Sequence, residues 1–393
     1  MLGPEFCTRP RGAGGRGAAL AFVFATVLAA AAATNCLPRE ERPVPVRPVS
    51  SAGASTADRD EVARAAADAV ADGKSGAKAA EEVVSRSGDR WGAVYDPREY
   101  EEFEQALDGR YVGVGLSARR GADGRVEVAR VQDGGPAAKA GLRPGDLLRT
   151  IDGRPLRGRS VSEAVALLRG DGQGAGARAG SAVVLGVQRG PRVWTETLRR
   201  ARLATEAVTV RRLGGDAVLI KVSAFTRGTG ERIGDAVRGA PEGAGILLDL
   251  RGNGGGLVSE AVTAASAFLD GGLVATYDVH GREKALYAAP GGDTERPLVA
   301  LVDGGTMSAA ELLTGALKDR GRAVTVGTRT FGKGSVQMPS RLPGGSVAEL
   351  TVGHYRTPAG HSVDGRGITP DLTAGDGAEE RGRTVLSGLG GAS

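Results

Sequence analysis

The sequence predicts a multidomain α/β protein, and three features carry that expectation. From Ala201 onward, short apolar runs of buried-strand type alternate with stretches of helical spacing. Ahead of them, from about Asp108 to Arg200, short glycine-punctuated strands and two helices describe a small β-rich module. Earlier still, from Asp58, apolar residues recur at helical intervals. The 393 residues suit two or three domains, and 41% hydrophobic with 25% charged residues is an ordinary globular composition. Aromatics make up only 4% while glycines number 64, so Ala, Val and Leu must fill the core.

Residues 1–36 read as a signal peptide or membrane anchor. Arg9, Arg11 and Arg16 precede an apolar run from Ala18 to Ala33 that ends in small residues. A basic start, an apolar stretch of this length and an Ala31-Ala32-Ala33 site describe a secretory signal. The run is slightly short of the ~20 residues of a spanning helix, and an uncleaved membrane anchor is the alternative. A lipoprotein reading of Cys36 is weak, because Asn35 precedes it. Either main reading exports the chain, as an extracellular or envelope protein that is secreted or anchored to the cytoplasmic membrane. Cys7 and Cys36 both fall in this segment, which leaves the body without a disulfide or a Cys/His metal cluster. The net charge is +5, but the arginines are scattered singly, with no basic block interleaved with aromatics. Nucleic acid is therefore not an expected partner.

The proline-rich residues 37–57 form an extended linker. Residues 58–107 follow as a helical region, with Val62, Ala66, Ala69 and Val70 on one face and Ala79, Val83 and Val84 on another. Asp96-Pro97 opens a further helix, whose Glu99, Glu101 and Glu102 suit the dipole of its first turn. Residues 108–200 then give Tyr111-Val112-Gly113-Val114-Gly115-Leu116, a strand from Val126 to Val131, and a turn and helix over Gly134 to Leu142. Pro144-Gly145-Asp146-Leu147-Leu148, a helix from Ser162 to Arg169 and a strand from Val183 to Arg189 complete the series. This order resembles a PDZ domain. The resemblance implies that Gly113, Val114, Gly115 and Leu116 hold a peptide's terminal carboxylate on backbone N–H groups, while the peptide adds as a strand to the sheet edge.

Residues 201–375 are the α/β domain, with strands at Ala217–Val222, Ile246–Leu250, Leu298–Val302 and Val324–Val326 and helical spacing over Leu257–Leu269. Ser308 follows one of these strands and a Gly304-Gly305 turn, and it opens a helix with Leu312, Leu313, Ala316 and Leu317 on its apolar face. Alone, it reads as an N-cap. A serine there also has the Ala309 N–H beside it to stabilise an oxyanion. Lys333 lies 25 residues on, flanked by glycines. An uncharged lysine amine can take a serine's proton, and burial is what keeps such an amine uncharged. Gly327 to Lys333 also fits the start of a phosphate-binding loop, but Gly334 stands where a Ser/Thr is needed, and Pro339 and Pro343 deny it a helix. If the chain from Lys333 to Gln337 is extended, Lys333, Ser335 and Gln337 face one side, where Gln337 can orient the amine. His280, His354 and His361 leave a Ser–His–Asp triad as a minor alternative.

Thr306-Met307-Ser308-Ala309-Ala310-Glu311, Thr330 to Gln337, Asp249-Leu250-Arg251-Gly252-Asn253-Gly254-Gly255-Gly256, Arg90 to Pro97 and Tyr355 to Asp371 together resemble the carboxyl-terminal processing peptidases of family S41. The resemblance covers about Asp89 to Asp371. It implies an α/β core of the ClpP/crotonase-like type behind an embedded PDZ domain, and a serine endopeptidase with Ser308 as nucleophile, Lys333 as base and Gln337 as third member. It also implies a second oxyanion donor at Gly255, or at Gly254, where the family often has proline. Some members have an aspartate in the catalytic set at the position of Asp319. Eleven helical residues rise roughly 16 Å, so a structural role for Asp319 is preferred here. The implied partners are unstructured protein or peptide C-terminal tails, with no metal or other cofactor. The competing expectation is a catalytically silent PDZ adaptor for envelope proteins. The Gly-, Glu- and Arg-rich residues 376–393 are expected to form a flexible tail.

Overall fold

The computed structural model describes residues 56–121, 123–170, 178–214, 217–279 and 282–390. The apolar run 18–33, both cysteines and His280 lie outside the described residues. Among those described, no helix is long and apolar enough to cross a membrane.

The first described elements are α1 (Arg59–Ala71), α2 (Gly76–Ser87), β1 (Ala93–Tyr95) and α3 (Pro97–Leu107). Short polar side chains start the helices: Asp58 caps α1, Ser75 caps α2, and Asp96 with Glu99 forms a reciprocal capping box on α3. Val62, Ala66, Ala80, Val83 and Val84 are buried, and they pack on Leu342, Ala348 and Leu350 far along the chain. The helical region is thus built onto the body of the protein.

Next comes a module with its own core. It contains β2 (Arg110–Gly113), β3 (Leu116–Arg120), β4 (Val126–Val131), α4 (Pro136–Lys139), β5 (Leu147–Ile151) and β6 (Arg154–Pro155). It continues through α5 (Val161–Arg169), β7 (Ala182–Arg189), β8 (Arg192–Arg199) and β9 (Ala201–Ala204). Alternate residues of β7 (Val183, Leu185 and Val187) point into this core with Val128, Ile151 and Ala164. The sheet runs β3-β4-β5-β7-β8, so β3 is an edge strand. The module's first strand, β2, pairs antiparallel with β9. This pairing carries the module to Ala204, four residues past the boundary expected from sequence.

The remaining elements are β10 (Val208–Leu213), β11 (Ala217–Val222), α6 (Thr229–Arg238), β12 (Gly245–Asp249), α7 (Val258–Ser266), β13 (Leu273–Val279) and β14 (Arg282–Tyr287). They end with β15 (Leu298–Val302), α8 (Ala309–Asp319), β16 (Val324–Gly327), β17 (Ser335–Arg341), β18 (Val347–Arg356), β19 (Leu372–Thr373) and α9 (Ala378–Gly390). One six-stranded sheet runs β10-β11-β12-β15-β16-β19, parallel except at β10. Its central strands β12 and β15 are buried along their whole length, and apolar except for Asp249 at the end of β12, because both faces are covered. Ile246 and Leu248 face a core shared with α6, α7 and α8, while Leu247 and Leu301 face the other side. A second, antiparallel sheet centres on β18, which pairs with β1, β13 and β17.

The expected flexible tail is corrected by α9. Ala378, Gly382 and Leu386 recur at one-turn spacing and are all buried. At Gly382 an added Cβ would lie 2.8 Å from Leu301 and 2.9 Å from Leu247, so glycine is what lets the helix seat on the sheet. Composition alone hid this face, because glycine and alanine supply most of it. Leu386→Ala is expected to cost about 2–5 kcal/mol of stability, as for other buried leucines. Urea denaturation would read this, and an unchanged midpoint would mean that the helix contributes nothing.

Candidate active site

Three loops leave the carboxyl ends of neighbouring parallel strands, where open α/β sheets place their ligand crevices. One follows β12 and carries Arg251 to Gly256. The second follows β15 and leads into Ser308. The third follows β16 and carries Lys333.

The β12 loop is anchored at its root. Asp249 is buried and takes paired bonds from Arg251 (2.8 Å each) and one from Lys221 Nζ (3.2 Å). These partners hold its carboxyl below the usual carboxylate range despite burial, which opposes them most strongly. Asn253, fully buried, donates to the Val222 carbonyl (3.1 Å) and accepts the Gly255 N–H (2.9 Å). Gly255 has φ 96, and a Cβ there would lie 2.9 Å from both the Ser308 Cβ and the Met307 carbonyl oxygen. The loop therefore touches Ser308 through a residue that must be glycine. Since the Gly255 N–H is taken by Asn253, the Gly254 N–H is the one of the two with no bond among the described residues.

Ser308 occupies the N-cap position of α8, yet it is no ordinary cap. Asp58, Ser75, Asp96 and Ser160 all cap their helices from extended backbone, whereas Ser308 has φ 54 and ψ −117. A non-glycine residue with positive φ is strained and persists only where its surroundings hold it. Met307 N–H donates to the Asn253 carbonyl (2.9 Å), and the buried Tyr355 hydroxyl donates to the Ser308 carbonyl (3.0 Å). Burial, with Glu311 and Asp364 nearby, keeps that phenol protonated by raising its pKa well above the ordinary value.

The strongest restraint is Glu311, one turn into α8 and fully buried. Its Oε2 accepts the N–H of Ser308 (3.0 Å) and of Lys333 (2.9 Å). Its Oε1 accepts the Gly332 N–H (2.7 Å) and the Thr330 hydroxyl (2.5 Å). One carboxyl thus ties the serine turn to the lysine loop. The Lys333 side chain is half-buried, and its Nζ lies 4.8 Å from the centroid of the Trp91 ring. Burial pushes its amine below the ordinary lysine range, against the opposing pull of Glu349 and Asp89. Gln337 Nε2 donates to Ser335 Oγ (2.8 Å) and Thr351 Oγ1 (3.2 Å), so Ser335 and Gln337 do share a face of β17. A hydroxyl on a strained turn, helix N–H groups beside it and a partly desolvated amine are parts that a covalent hydrolase uses.

Comparison with known proteins gives the family. The peptidase family S41 profile matches residues 216–374, and a PDZ domain profile matches residues 127–175. A "Probable CtpA-like serine protease" of Staphylococcus aureus (strain N315) is 31% identical over 74% of this chain and 58% of its own length. The carboxy-terminal processing protease CtpA of Bacillus subtilis (strain 168) is 30% identical over 74% of this chain and 62% of its own. Residues 216–374 match peptidase family S41. The chain spans about three-fifths of the length of these curated relatives. Among solved structures, the photosystem II D1 C-terminal processing protease superposes with a TM-score of 0.51 and 28% identity, over 81% of this chain and 86% of that one.

The other sequence candidates fall elsewhere in the fold. Asp319 ends α8 away from Ser308, and its carboxylate accepts the Ala359 N–H (3.0 Å), pinning the turn after β18. His354 and His361 stand by Asp364 (3.7 Å) and Asp319 (3.9 Å) respectively, and no hydrogen bond joins either to Ser308. No group of three or more His, Cys, Asp or Glu among the described residues could hold a metal ion. In the PDZ domain, Val114 is buried with its carbonyl accepting the Ala137 N–H (2.8 Å), and Leu116 begins the edge strand β3. Sequence reasoning passed over Glu311 as a clamp, although Ser308-x-x-Glu311 is the spacing of a capping box.

Each Glu311 oxygen takes at least one backbone N–H, so either orientation of a glutamine amide sets its NH2 against a donor that cannot turn away. Glu311→Gln is therefore expected to lose on the order of 1–3 kcal/mol for each donor left unpaired. Chemical denaturation measures this, and wild-type stability would contradict the clamp.

Proposed function

We propose that this chain is an exported serine endopeptidase that captures unstructured C-terminal tails on its PDZ domain and cleaves them through an acyl-enzyme formed on Ser308. The observation that carries the reading is the Glu311 carboxyl, which holds the Ser308 turn and the Lys333 loop on one oxygen. In the proposed reaction Lys333, as a neutral amine, takes the Ser308 proton while Oγ attacks the scissile carbonyl. The Ala309 N–H at the start of α8 and the Gly254 N–H of the β12 loop receive the oxyanion. Lys333 then returns the proton to the leaving amine; in the second half water, deprotonated by the same amine, attacks the acyl group, and the ammonium gives that proton to Ser308 Oγ as it leaves.

No hydrogen bond joins Lys333 Nζ to Ser308 in this structure, where the amine rests against Trp91. Catalytic bonds of a free enzyme often form only when substrate arrives. Tail capture is supported by the open edge of β3, beside which α5 packs. An added peptide strand would meet a carboxylate-binding loop at Gly113 to Leu116. Export is supported by the basic and apolar start of the sequence.

Ser308→Ala and Lys333→Ala are each expected to abolish cleavage of a peptide tail in folded protein, because nucleophile and base act as a unit. Lys333→Arg is expected to be equally inactive, since a guanidinium stays charged. A fluorophosphonate should label wild type but not Ser308→Ala. Turnover by folded Lys333→Ala would refute the dyad, and absence of labelling in wild type would favour the silent adaptor. For the PDZ groove, peptides ending in a free carboxylate are expected to bind more tightly than the same peptides amidated. Equal binding by calorimetry would count against that site.

A further inference from the structure

Lys333 is flanked by a segment that precedes the PDZ domain and lies outside the peptidase match. Asp89 stands in the turn between α2 and β1 and is 9% exposed. Its Oδ1 accepts the N–H of Trp91 (3.1 Å) and of Gly92 (2.9 Å), together with the Thr351 hydroxyl (2.7 Å). Its Oδ2 accepts the Thr351 N–H (3.0 Å). The Thr351 hydroxyl has one proton, and the carboxylate takes it. Toward Gln337 that oxygen offers only lone pairs, so the Gln337 atom 3.2 Å away must be the amide nitrogen. The Ser335 hydroxyl, 2.8 Å from the same nitrogen, can accept its other proton. The Gln337 carbonyl oxygen is left as an acceptor, the group suited to an amine donor. Through the Trp91 backbone N–H, the same carboxylate fixes the turn that carries the ring lying against the Lys333 amine.

We propose that Asp89 and Thr351 are positioning residues of the active site: they fix the Gln337 amide with its carbonyl available to Lys333, and Asp89 holds the backbone turn that carries Trp91 beside the amine. This rests on Lys333 being the general base. One carboxylate from the region before the PDZ domain thereby governs two flanks of the base, so the peptidase domain alone does not complete the site.

The acidic limb of the rate profile reports the state of the base. The charged or titratable groups around Lys333 are Asp89 and Arg90 from the turn, Glu311 from α8, Glu349 and His354 from β18, and Asp364 from the segment against Gly334. An acceptor oxygen and the Asp89 charge both favour the ammonium form. Removing either should let Lys333 titrate at lower pH, moving the acidic limb of kcat/KM down while the plateau falls through misorientation.

The test is the pH profile of kcat/KM on a short peptide, with full-length Thr351→Val, Thr351→Ser, Asp89→Asn and Lys333→Ala, each checked for thermal unfolding. Thr351→Val should lose about 10- to 100-fold at the plateau, the scale of a misplaced catalytic group, with its limb at lower pH. Thr351→Ser should restore the wild-type limb and most of the rate, and Asp89→Asn should shift the limb downward. A folded Thr351→Val with wild-type rate and limb overturns the proposal. So does a rate loss with an unmoved limb, which a merely structural role would give. If Thr351→Val fails to fold, Asp89→Asn decides, and a wild-type limb there overturns it. Turnover by folded Lys333→Ala would instead refute the dyad itself, whereas an inactive Lys333→Ala beside a normal Thr351→Val refutes this inference alone.

Discussion

A carboxyl buried at the start of a helix is costly unless every lone pair finds a donor. Glu311 meets that demand with four donors from two loops, and most of the site's geometry follows from it. A glutamate three residues into a helix ordinarily returns to its own N-cap. Here it does so and also gathers the segment from Thr330 to Lys333. Thr330 passes the restraint on, since its hydroxyl accepts the Ile368 N–H (2.7 Å) while donating to Glu311. The strained backbone of Ser308 can persist because the groups around it are so thoroughly fixed.

The environment of Lys333 is a balance, not simple burial. Desolvation favours the neutral amine, while Glu349 and Asp89 favour the ammonium, and the raised pKa of Glu349 shows the same burial acting on a carboxyl. Trp91, which also receives Arg90 at 4.8 Å and Phe331 edge-on at 5.8 Å, gives the amine an aromatic wall. This wall comes from the chain before the PDZ domain, and β1 directly after it pairs with β18. The PDZ domain is therefore inserted between two parts of one body. At its root, Thr205 N–H bonds to the Gly109 carbonyl (2.6 Å), and Arg227 pairs with Asp108 (2.8 Å).

What could be read from sequence was what is written locally. Ser308 and Lys333 stand out as candidates because a strand, a glycine turn and an apolar helix surround one, and flanking glycines mark the other. The PDZ domain was legible as an ordered series of short elements. Relations between distant residues left no such trace: Asp89 and Thr351 stand 262 positions apart, and no periodicity announces that they meet. The occupied Gly255 N–H was equally invisible, because it depends on which way the Asn253 side chain turns. The last helix was missed for a different reason. Its buried face is built from Ala378, Gly382 and Leu386, and small residues there look like flexible chain until the sheet that needs them is known.

The most direct measurement is a crystal structure of the protein trapped with a fluorophosphonate. The account predicts phosphorus bonded to Ser308 Oγ and a phosphonyl oxygen about 2.7–3.1 Å from the Ala309 nitrogen, where an oxyanion would sit. It also predicts that Glu311 still receives the N–H groups of Ser308, Gly332 and Lys333. An adduct on another residue, or a Glu311 side chain turned away from the lysine loop with Ser308 still modified, would contradict it.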